Sequence, residues 1–326
     1  MSIFNRYSTG KSQSTCKIDE NTVKLAYRLL LGREPESEKA IQDHLSLGTL
    51  EEVRAAMFNS TEFKSKVLQS NFGTSKWVAT EVLDRYVMWV DLHDRYVSQG
   101  CLNNNWEPDE TAFFISRLGI GDCVLDIGAN IGWFSLVAAK HIGTNGCVHA
   151  FEPSPKTSRM LRRTIADNDL RSIIQVWEYA LSDRNDLINL TWATNTDNPG
   201  GSFVVDVKSV LENHESTPVV AIRLDDLLPD VAPDIIKIDV EGAEPRALFG
   251  ARNAIMRRKP VILSELFPAQ LENVSRMTAA QYILQMEELG YGCYLLENDR
   301  PTKKLTDFPS EVSKELVSVV FEWRGR

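Results

Sequence analysis

The chain has no long apolar run, little cysteine and no excess of basic residues. No stretch approaches the roughly 20 consecutive apolar residues that span a bilayer, and residues 1–20 lack the apolar core of a secretory signal. The five cysteines are scattered and form no C-x-x-C pair, which favours reduced thiols in a cytoplasmic protein over a disulfide framework or a zinc site. A formal net charge of −9 argues against a nucleic-acid partner.

The composition is that of a globular protein, with 43% hydrophobic and 25% charged residues among 326. This length predicts one large domain, alone or with a small one. Hydrophobic spacing predicts a disordered N-terminus (1–18), a small helical domain (19–70), a linker with a connecting helix (71–105) and an α/β domain (106–326). Within the linker, the apolar residues of 76–97 predict one long helix.

The α/β domain is organised around residues 123–133, CVLDIGANIGW. An apolar run, a cluster of small residues and a helical pattern follow one another, which predicts a buried parallel strand, a tight turn and a helix. A ligand can approach the backbone at such a turn, where glycines permit positive φ and the helix start offers free N–H groups. The predicted cofactor contacts of this turn are Asp126, Gly128, Ala129, Asn130 and Gly132.

The spacing of this turn separates two classes of cofactor. A nicotinamide dinucleotide requires G-x-G-x-x-G, because its pyrophosphate rests on the helix N-terminus. Here the spacing is G-x-x-x-G, and Asp126 lies two residues before the first glycine. An acid there would repel a pyrophosphate but suits the free ammonium of S-adenosylmethionine. The turn therefore favours a methyl-donor site, while similar turns also occur for packing alone.

The next two strand ends supply further cofactor candidates. The strand at 147–151 ends in Glu152 and Pro153, where an acid can accept hydrogen bonds from both ribose hydroxyls of an adenosine. The alternative is an exposed loop acid. After the third strand, Ala180 and Leu181 can flank the adenine, and Asp183 or nearby backbone can bind its amino edge.

The stretch 234–244, DIIKIDVEGAE, carries the catalytic candidates. In a doubly wound sheet this fourth strand adjoins the first, so Asp239 would also face the donor's sulfonium. Asp239, Glu241 and Glu265 are the predicted catalytic residues, because a hydroxyl acceptor is a poor nucleophile and needs a base. A divalent ion such as magnesium, held by the same three acids, is possible but not favoured, and no metal site is predicted. Glu244 is assigned to the first turn of the following helix.

Two segments are predicted to contact the acceptor. Trp106 and Glu107 lie just upstream of the central strand, where they contact the cofactor or substrate or simply begin a helix. The polar, glycine-rich loop 194–202 contains Gly201 and Ser202, and it is either a lid or acceptor-binding segment or a plain surface loop.

Alternating strands and helices predict an α/β fold with a doubly wound, seven-stranded Rossmann-like sheet, mostly parallel with an antiparallel edge, after a small all-helical domain. The segments DIGANIG (126–132), FEP (151–153), AL (180–181), GGS (200–202) and KIDVEGAE (237–244) resemble the FkbM family of S-adenosylmethionine-dependent methyltransferases. The resemblance covers about residues 106–266. It implies O-methylation, often of hydroxyls on sugars or polyketide natural products.

The N-terminal segments YRLLLGREP (27–35) and STEF (60–63) resemble a helical domain that accompanies enzymes of cell-surface polysaccharide assembly. This resemblance favours a glycan acceptor and implies docking to glycan-assembly enzymes through these helices. Two other interpretations stay open: a nicotinamide-dependent oxidoreductase, disfavoured by Asp126 and the missing third glycine, and a non-catalytic scaffold of a glycan-assembly complex.

Overall fold

The structure is a computed structural model that describes residues 18–60, 62–63, 77–94, 96–193, 203–206, 214–305 and 316–325. The chain divides into two compact units, Met1–Ser75 and Lys76–Arg326. No helix within the described ranges is long and apolar enough to cross a membrane. The predicted N-terminal disorder and the predicted loop 194–202 lie outside the described residues.

The first unit contains three described helices, α1 (Glu20–Ala26), α2 (Glu38–Leu45) and α3 (Leu50–Asn59). Each begins at a polar N-cap whose side chain accepts a backbone N–H, as sequence periodicity and capping residues indicate. The first helix continues as a π turn, Tyr27–Leu31, and ends at Gly32 with φ of 64°. Residues 62–63 are also helical, and the Phe63 N–H donates to the Ser60 hydroxyl at 3.2 Å.

The second unit begins with a β-hairpin, β1 (Trp77–Val82) and β2 (Tyr86–Asp91), followed by the helices α4 (Val97–Leu102) and α5 (Pro108–Arg117). The predicted connecting helix over 76–97 is therefore wrong. Its apolar residues are mainly β-branched and aromatic, and such residues favour a pleated strand over a helix. Leu83 and Asp84 both have positive φ, 52° and 63°, and form the tight turn of the hairpin.

An eight-stranded sheet forms the centre of this unit. Its parallel strands are β3 (Cys123–Ile127), β4 (Cys147–Phe151), β5 (Ile174–Trp177), β10 (Ile235–Ile238) and β11 (Val261–Leu266), and its antiparallel strands are β12 (Tyr291–Glu297), β13 (Arg300–Leu305) and β14 (Val317–Trp323). The strand order is β13-β12-β14-β11-β10-β3-β4-β5. The order reverses between β3 and β10, which is where such sheets bind ligands.

The predicted doubly wound sheet with an antiparallel edge is confirmed, with one strand more than the seven expected. The additional strand is β13, RPTKKL, at the sheet edge. Its side chains are mostly exposed and polar, as edge strands commonly are, so it lacks an apolar pattern that would identify it from sequence.

A second, four-stranded sheet has the order β6-β9-β7-β8. Its strands are β6 (Ala180–Leu181), β7 (Asp186–Ala193), β8 (Phe203–Asp206) and β9 (His214–Ile222). β7 pairs antiparallel with both β8 and β9, whereas β6 pairs parallel with β9. This sheet follows β5 in the chain and places several side chains in the cavity described below.

Helices cover both faces of the large sheet. They are α6 (Trp133–Ile142), α7 (Pro155–Asp167), α8 (Leu224–Leu227), α9 (Glu244–Gly250), α10 (Arg252–Arg258), α11 (Pro268–Gln270), which continues as a π turn, and α12 (Ala279–Glu288). One core cluster contains α6 and α7 residues such as Leu136 and Leu161, and the other contains α9, α10 and α12 residues such as Leu248, Ile255 and Tyr282. The sheet is thereby buried on both faces, which explains its apolar strands.

Candidate functional site

A cavity of about 1270 Å³ opens at the carboxyl ends of the parallel strands. Its walls come from the turns after β3, β4, β10 and β11, from the four-stranded sheet and from the N-terminal hairpin. The predicted site residues that line it are Trp106, Glu107, Gly128, Asn130, Glu152, Pro153, Ala180, Leu181, Asp239, Glu241 and Glu265. The fold therefore brings strand ends that are distant in sequence to one crevice.

The turn after β3 has the predicted strand–turn–helix geometry. Gly128 has φ of 83°, and a Cβ there would lie 1.9 Å from the carbonyl oxygen of Asp239. Gly132 has φ of 99° and caps α6. The N–H groups of Gly128 and Ala129 both donate to the Phe151 carbonyl at 2.9 Å, which fixes the turn against the end of β4. Only glycine permits both the positive φ and this close backbone approach.

Glu152 lies where the sequence predicts an acid for the ribose. Its two carboxylate oxygens accept the N–H groups of Asn130 and Ser154, each at 2.9 Å. Burial raises its pKa to about 7, although both hydrogen bonds oppose this shift. A carboxylate has about four acceptor positions, so the two backbone hydrogen bonds leave capacity toward the cavity.

Asp126 does not line the cavity, in contrast to the predicted contact with a donor ammonium. Its side chain is 2% exposed and accepts a hydrogen bond from the Ser135 hydroxyl of α6 at 2.5 Å. Burial raises its pKa to about 6. The acid lies beneath α6 because its strand position directs the side chain to the sheet face that this helix covers. A direct contact with the cofactor stays a prediction that this geometry does not favour.

Lys237 is the main feature of the site that sequence reasoning missed. It is 3% exposed, and its Nζ lies 3.6 Å from Glu107 Oε2 and 3.7 Å from Asp239 Oδ2. Burial would lower its pKa, but the surrounding carboxylates, Glu107 and Asp239 first, raise the pKa above the ordinary value. A lysine within an apolar strand, IIKI, was the available signal, since buried lysines are rare unless paired.

Glu107, Asp239 and Glu265 form a cluster whose carboxylate oxygens lie within 4.8 Å of one another. Burial raises the pKa of Glu107 to about 7, and burial followed by the charge of Asp239 raises the pKa of Glu265 well above its ordinary value. Glu107, predicted as an acceptor contact, thus lies beside two catalytic candidates. One divalent ion would fit the oxygen ligands, but the ammonium of Lys237 already provides a positive charge beside two of the three acids.

Two further acids follow β10. Glu241 lines the cavity at a positive φ of 52°, and burial and then the charge of Asp239 raise its pKa to about 7. Glu244 is the first residue of α9, as predicted, and accepts the N–H groups of Val240 and Gly242 at 3.0 and 3.2 Å. Burial also raises the pKa of Glu244 to about 7. Glu244 therefore stabilises the turn that presents Glu241.

Of the contacts predicted after the third strand, two line the cavity and one does not. Ala180 and Leu181 line the cavity beside Tyr179. Asp183 does not, and its carboxylate accepts the Ser182 hydroxyl at 3.1 Å. Gly201 and Ser202 lie outside the described residues, so the predicted acceptor contact of that loop stays a prediction.

The hairpin and α4 contribute a wall that the sequence did not reveal. Trp77, Asp91, Asp94, Tyr96 and Ser98 all line the cavity. The aromatic and β-branched residues of this segment are typical of strands, but the spacing of its apolar residues also fits a helix. With Trp106, these residues give the cavity an aromatic and acidic wall.

The comparisons with known proteins assign the family. The family model of the methyltransferase FkbM domain matches residues 126–293, just over half of the 326-residue chain. The methyltransferase sdnD of Sordaria araneosa is 31% identical over 165 residues, covering 42% of this chain and 62% of that protein. The 31-O-demethyl-FK506 methyltransferase FkbM of Streptomyces tacrolimicus is 29% identical over 174 residues, covering 45% of this chain and 65% of that protein.

The match spans less than two thirds of the length of either relative. Among solved structures, a methyltransferase FkbM from Methylobacillus flagellatus KT is 17% identical with a TM-score of 0.40, covering 91% of this chain and 58% of that chain. The family model carries the assignment: the chain belongs to the FkbM family of methyltransferases.

Proposed function

We propose that the protein is an S-adenosylmethionine-dependent O-methyltransferase that binds its methyl donor at the carboxyl ends of β3, β4 and β10. The observation that supports this most is the set of buried carboxylates around the cavity, whose pKa values burial raises. Lys237 lies beside Glu107, but keeping all of these acids ionised requires more positive charge than one lysine supplies, so the cavity suits a cationic ligand. When bound, S-adenosylmethionine supplies a methyl group already activated on a positively charged sulfonium.

The chain's own residues fit the adenosine part of this donor. Glu152 is held by two backbone N–H groups and can accept hydrogen bonds from two neighbouring ribose hydroxyls. Ala180 and Leu181 provide an apolar wall for the adenine. Asp126 supports the turn without lining the cavity, because its carboxylate accepts a hydrogen bond from the Ser135 hydroxyl, which ties β3 to the first turn of α6.

Asp239 is the proposed base, with Glu241 and Glu265 as the other candidates. It lies in the cavity beside Lys237, and its side chain is 29% exposed, so an acceptor hydroxyl can reach it. The raised pKa of Glu265 favours its protonated form in the free protein, which is unable to accept a proton. A divalent ion is the alternative, held by Glu107, Asp239 and Glu265, because the structure places Glu107 in this cluster instead of the predicted Glu241; activity that survives exhaustive chelation would eliminate it.

The proposed acceptor is a hydroxyl of a sugar, a glycan or a related natural product. The lining of the cavity includes the aromatic rings of Trp77, Trp106 and Trp192 and the carboxylates of Asp94 and Glu110. Carboxylates accept hydrogen bonds from hydroxyl groups, and aromatic rings cover apolar faces, so this lining suits a polyhydroxylated molecule. The name of the Streptomyces relative describes O-methylation of a natural product, FK506. Docking of the N-terminal helices to glycan-assembly enzymes stays a prediction.

Calorimetric titration with S-adenosylhomocysteine and with NADH tests the donor class. We expect micromolar binding of the first and none of the second; binding of neither would favour a non-catalytic scaffold, and binding of NADH alone would favour an oxidoreductase. Glu152→Gln should weaken binding of S-adenosylhomocysteine by at least about tenfold, or about 1.4 kcal/mol. The exposed Glu288 of α12 provides the matched control, Glu288→Gln, with unchanged affinity. Equal affinities of the two variants would contradict the assigned site.

Methyl transfer to nucleotide sugars and oligosaccharides, detected as a mass gain, tests the acceptor. Asp239→Asn should reduce turnover by at least about a hundredfold, as expected for loss of a general base, while S-adenosylhomocysteine still binds. A turnover within a few-fold of the native value would exclude Asp239 as the base.

A further inference from the structure

A second reactive group of side chains lies at the opposite end of the two strands that carry the glycine turn and Glu152. Cys123 and Cys147 are the first residues of β3 and β4 and pair directly in the parallel register. His149 follows on the same face of β4, and the thiols and the imidazole lie within 4.8 Å of one another. All three are partly exposed at a shallow pocket of about 430 Å³, which residues 227–232 also line.

This environment favours the thiolate of Cys147. The Cys123 thiol and then the His149 ring hydrogen-bond to Cys147 and lower its pKa to about 5, whereas the same hydrogen bond and burial raise the pKa of Cys123. The Trp177 Nε1–H donates to His149 Nδ1 at 3.2 Å. Because Nδ1 accepts this bond, the neutral ring carries its proton on Nε2. The carboxylate of Asp234 opposes the thiolate, but it is paired with Arg258 at 2.6 Å.

The two sulfurs are also placed for a covalent bond. Directly opposite residues on neighbouring strands have their Cα atoms about 5 Å apart and their side chains on one face of the sheet. A disulfide requires Cα atoms about 4.4–6.8 Å apart. The remaining described cysteines, Cys101 and Cys293, are buried, and neither belongs to the group formed by Cys123, Cys147 and His149.

We propose that Cys147 and Cys123 form a peroxide-sensitive site that closes reversibly into a disulfide. The Cys147 thiolate attacks a hydroperoxide, its O–O bond breaks, and the sulfur becomes a sulfenic acid while hydroxide (or an alkoxide) leaves and takes a proton from water. The Cys123 sulfur then attacks the sulfenic sulfur, the S–O bond breaks, and the oxygen leaves as water with the Cys123 proton. Two electrons pass from the two thiols to the peroxide. Oxidation of Cys147 also removes the negative charge that held the proton on Cys123.

A soft metal ion is the competing occupant of two thiols and an imidazole. The hydrogen bond from Trp177 disfavours metal binding. Because His149 Nδ1 accepts this hydrogen bond, Nε2 carries the ring proton and has no free lone pair for a metal. Metal binding would therefore require the Trp177–His149 contact to break.

The test treats the full chain with hydrogen peroxide and maps its cysteines by mass spectrometry. Trypsin cleaves after Lys140 and therefore separates Cys123, in 118–140, from Cys147, in 141–156. We expect these two peptides to be cross-linked with a loss of two hydrogens and released by dithiothreitol. Before oxidation, iodoacetamide at pH 6.5 should modify Cys147 at least about tenfold faster than Cys101 or Cys293, which serve as internal controls.

Three variants separate reactivity from structure. Cys147→Ser should abolish the cross-link, and Cys123→Ser should leave a Cys147 sulfenic acid that dimedone traps. His149→Gln should slow alkylation of Cys147 by about three- to tenfold without changing the final yield of cross-link after prolonged oxidation. No cross-link in the native protein, or equal reactivity of Cys147 and Cys293, would overturn the proposal. So would stoichiometric zinc in the isolated protein that Cys147→Ser removes.

Discussion

Replacement of Lys237 by methionine tests whether this ammonium compensates the charges of the site. Methionine keeps the length and apolar stem of the side chain, so the main change is loss of a charge that lies 3.6 Å from Glu107 and 3.7 Å from Asp239. Removal of one partner of a buried ion pair costs about 3–5 kcal/mol. Because the acids are 17% and 29% exposed, we expect the lower end of this range, about 3 kcal/mol at pH 8.

The pH dependence of this penalty identifies its origin. The pKa of Glu107 is already raised to about 7, and without Lys237 it should rise further. An acid whose pKa is higher in the folded than in the unfolded state stabilises the fold when the pH is below the unfolded pKa. This contribution is lost as the pH rises through the folded pKa. At pH 5 the acids of Lys237→Met take up protons, so the penalty should fall to about 1 kcal/mol.

Guanidinium unfolding followed by tryptophan fluorescence measures this difference. All seven tryptophans lie between residues 77 and 323, so the signal reports the second unit alone. The control is Arg300→Met, because Arg300 is 84% exposed and its ion pair with Asp299 should contribute less than about 0.5 kcal/mol. A penalty for Lys237→Met that is equal at pH 5 and pH 8, or larger at pH 5, would refute the charge argument and point to packing.

Three further predictions concern the turn and its surroundings. Gly128→Ala should lower the free energy of unfolding by more than about 3 kcal/mol, because the new Cβ would lie 1.9 Å from a backbone carbonyl oxygen. The control Gly121→Ala should cost about 1 kcal/mol, since Gly121 has a similar positive φ of 87° but open space around it. Similar thermal midpoints for the two variants would disprove the close approach. The pKa of Glu241 is raised from 4.5 to about 7, so this acid should make the free protein less stable as pH rises from about 4.5 through 7. Glu241→Gln should therefore reduce the fall of the thermal midpoint with pH over this range. An unchanged pH dependence of the midpoint would contradict this. Ser135→Ala leaves the buried Asp126 without its side-chain donor and should cost about 1–3 kcal/mol in denaturant unfolding; a cost near zero would mean that water replaces the hydroxyl.

Local sequence predicted the central strands, the glycine turn and the positions of the acids, because each depends on a few neighbouring residues. The close approach of Gly128 to the end of β10 is an example, since only glycine satisfies it. The orientation of an acid depends instead on which sheet face a helix covers. Asp126 lies one residue before the end of β3 and Glu152 directly follows β4, yet the first is buried against Ser135 and the second lines the cavity. A single sequence does not encode that choice locally.

The hairpin escaped prediction for a different reason. Its apolar residues fit both a two-residue and a 3.6-residue period over so short a span, and the deciding contacts come from distant residues. The Trp89 N–H donates to the Thr164 hydroxyl at 3.1 Å, and the Trp89 ring N–H donates to Asp167 at 2.8 Å. Lys237 was missed because its carboxylate partners include Glu107, which is 130 positions away in the chain.

The attachment of the hairpin to α7 bears on how this protein can be engineered. The FkbM match begins at residue 126, but Val87 N–H donates to the Asn168 side chain at 2.8 Å, and Trp77 and Asp91 contribute to the ligand cavity. A chimaera whose junction lies at residue 126 would contain most of the large sheet but lack the hairpin that forms one wall of the cavity. Exchange of acceptor preference between relatives should therefore transfer the chain from residue 77 onward as a single cassette.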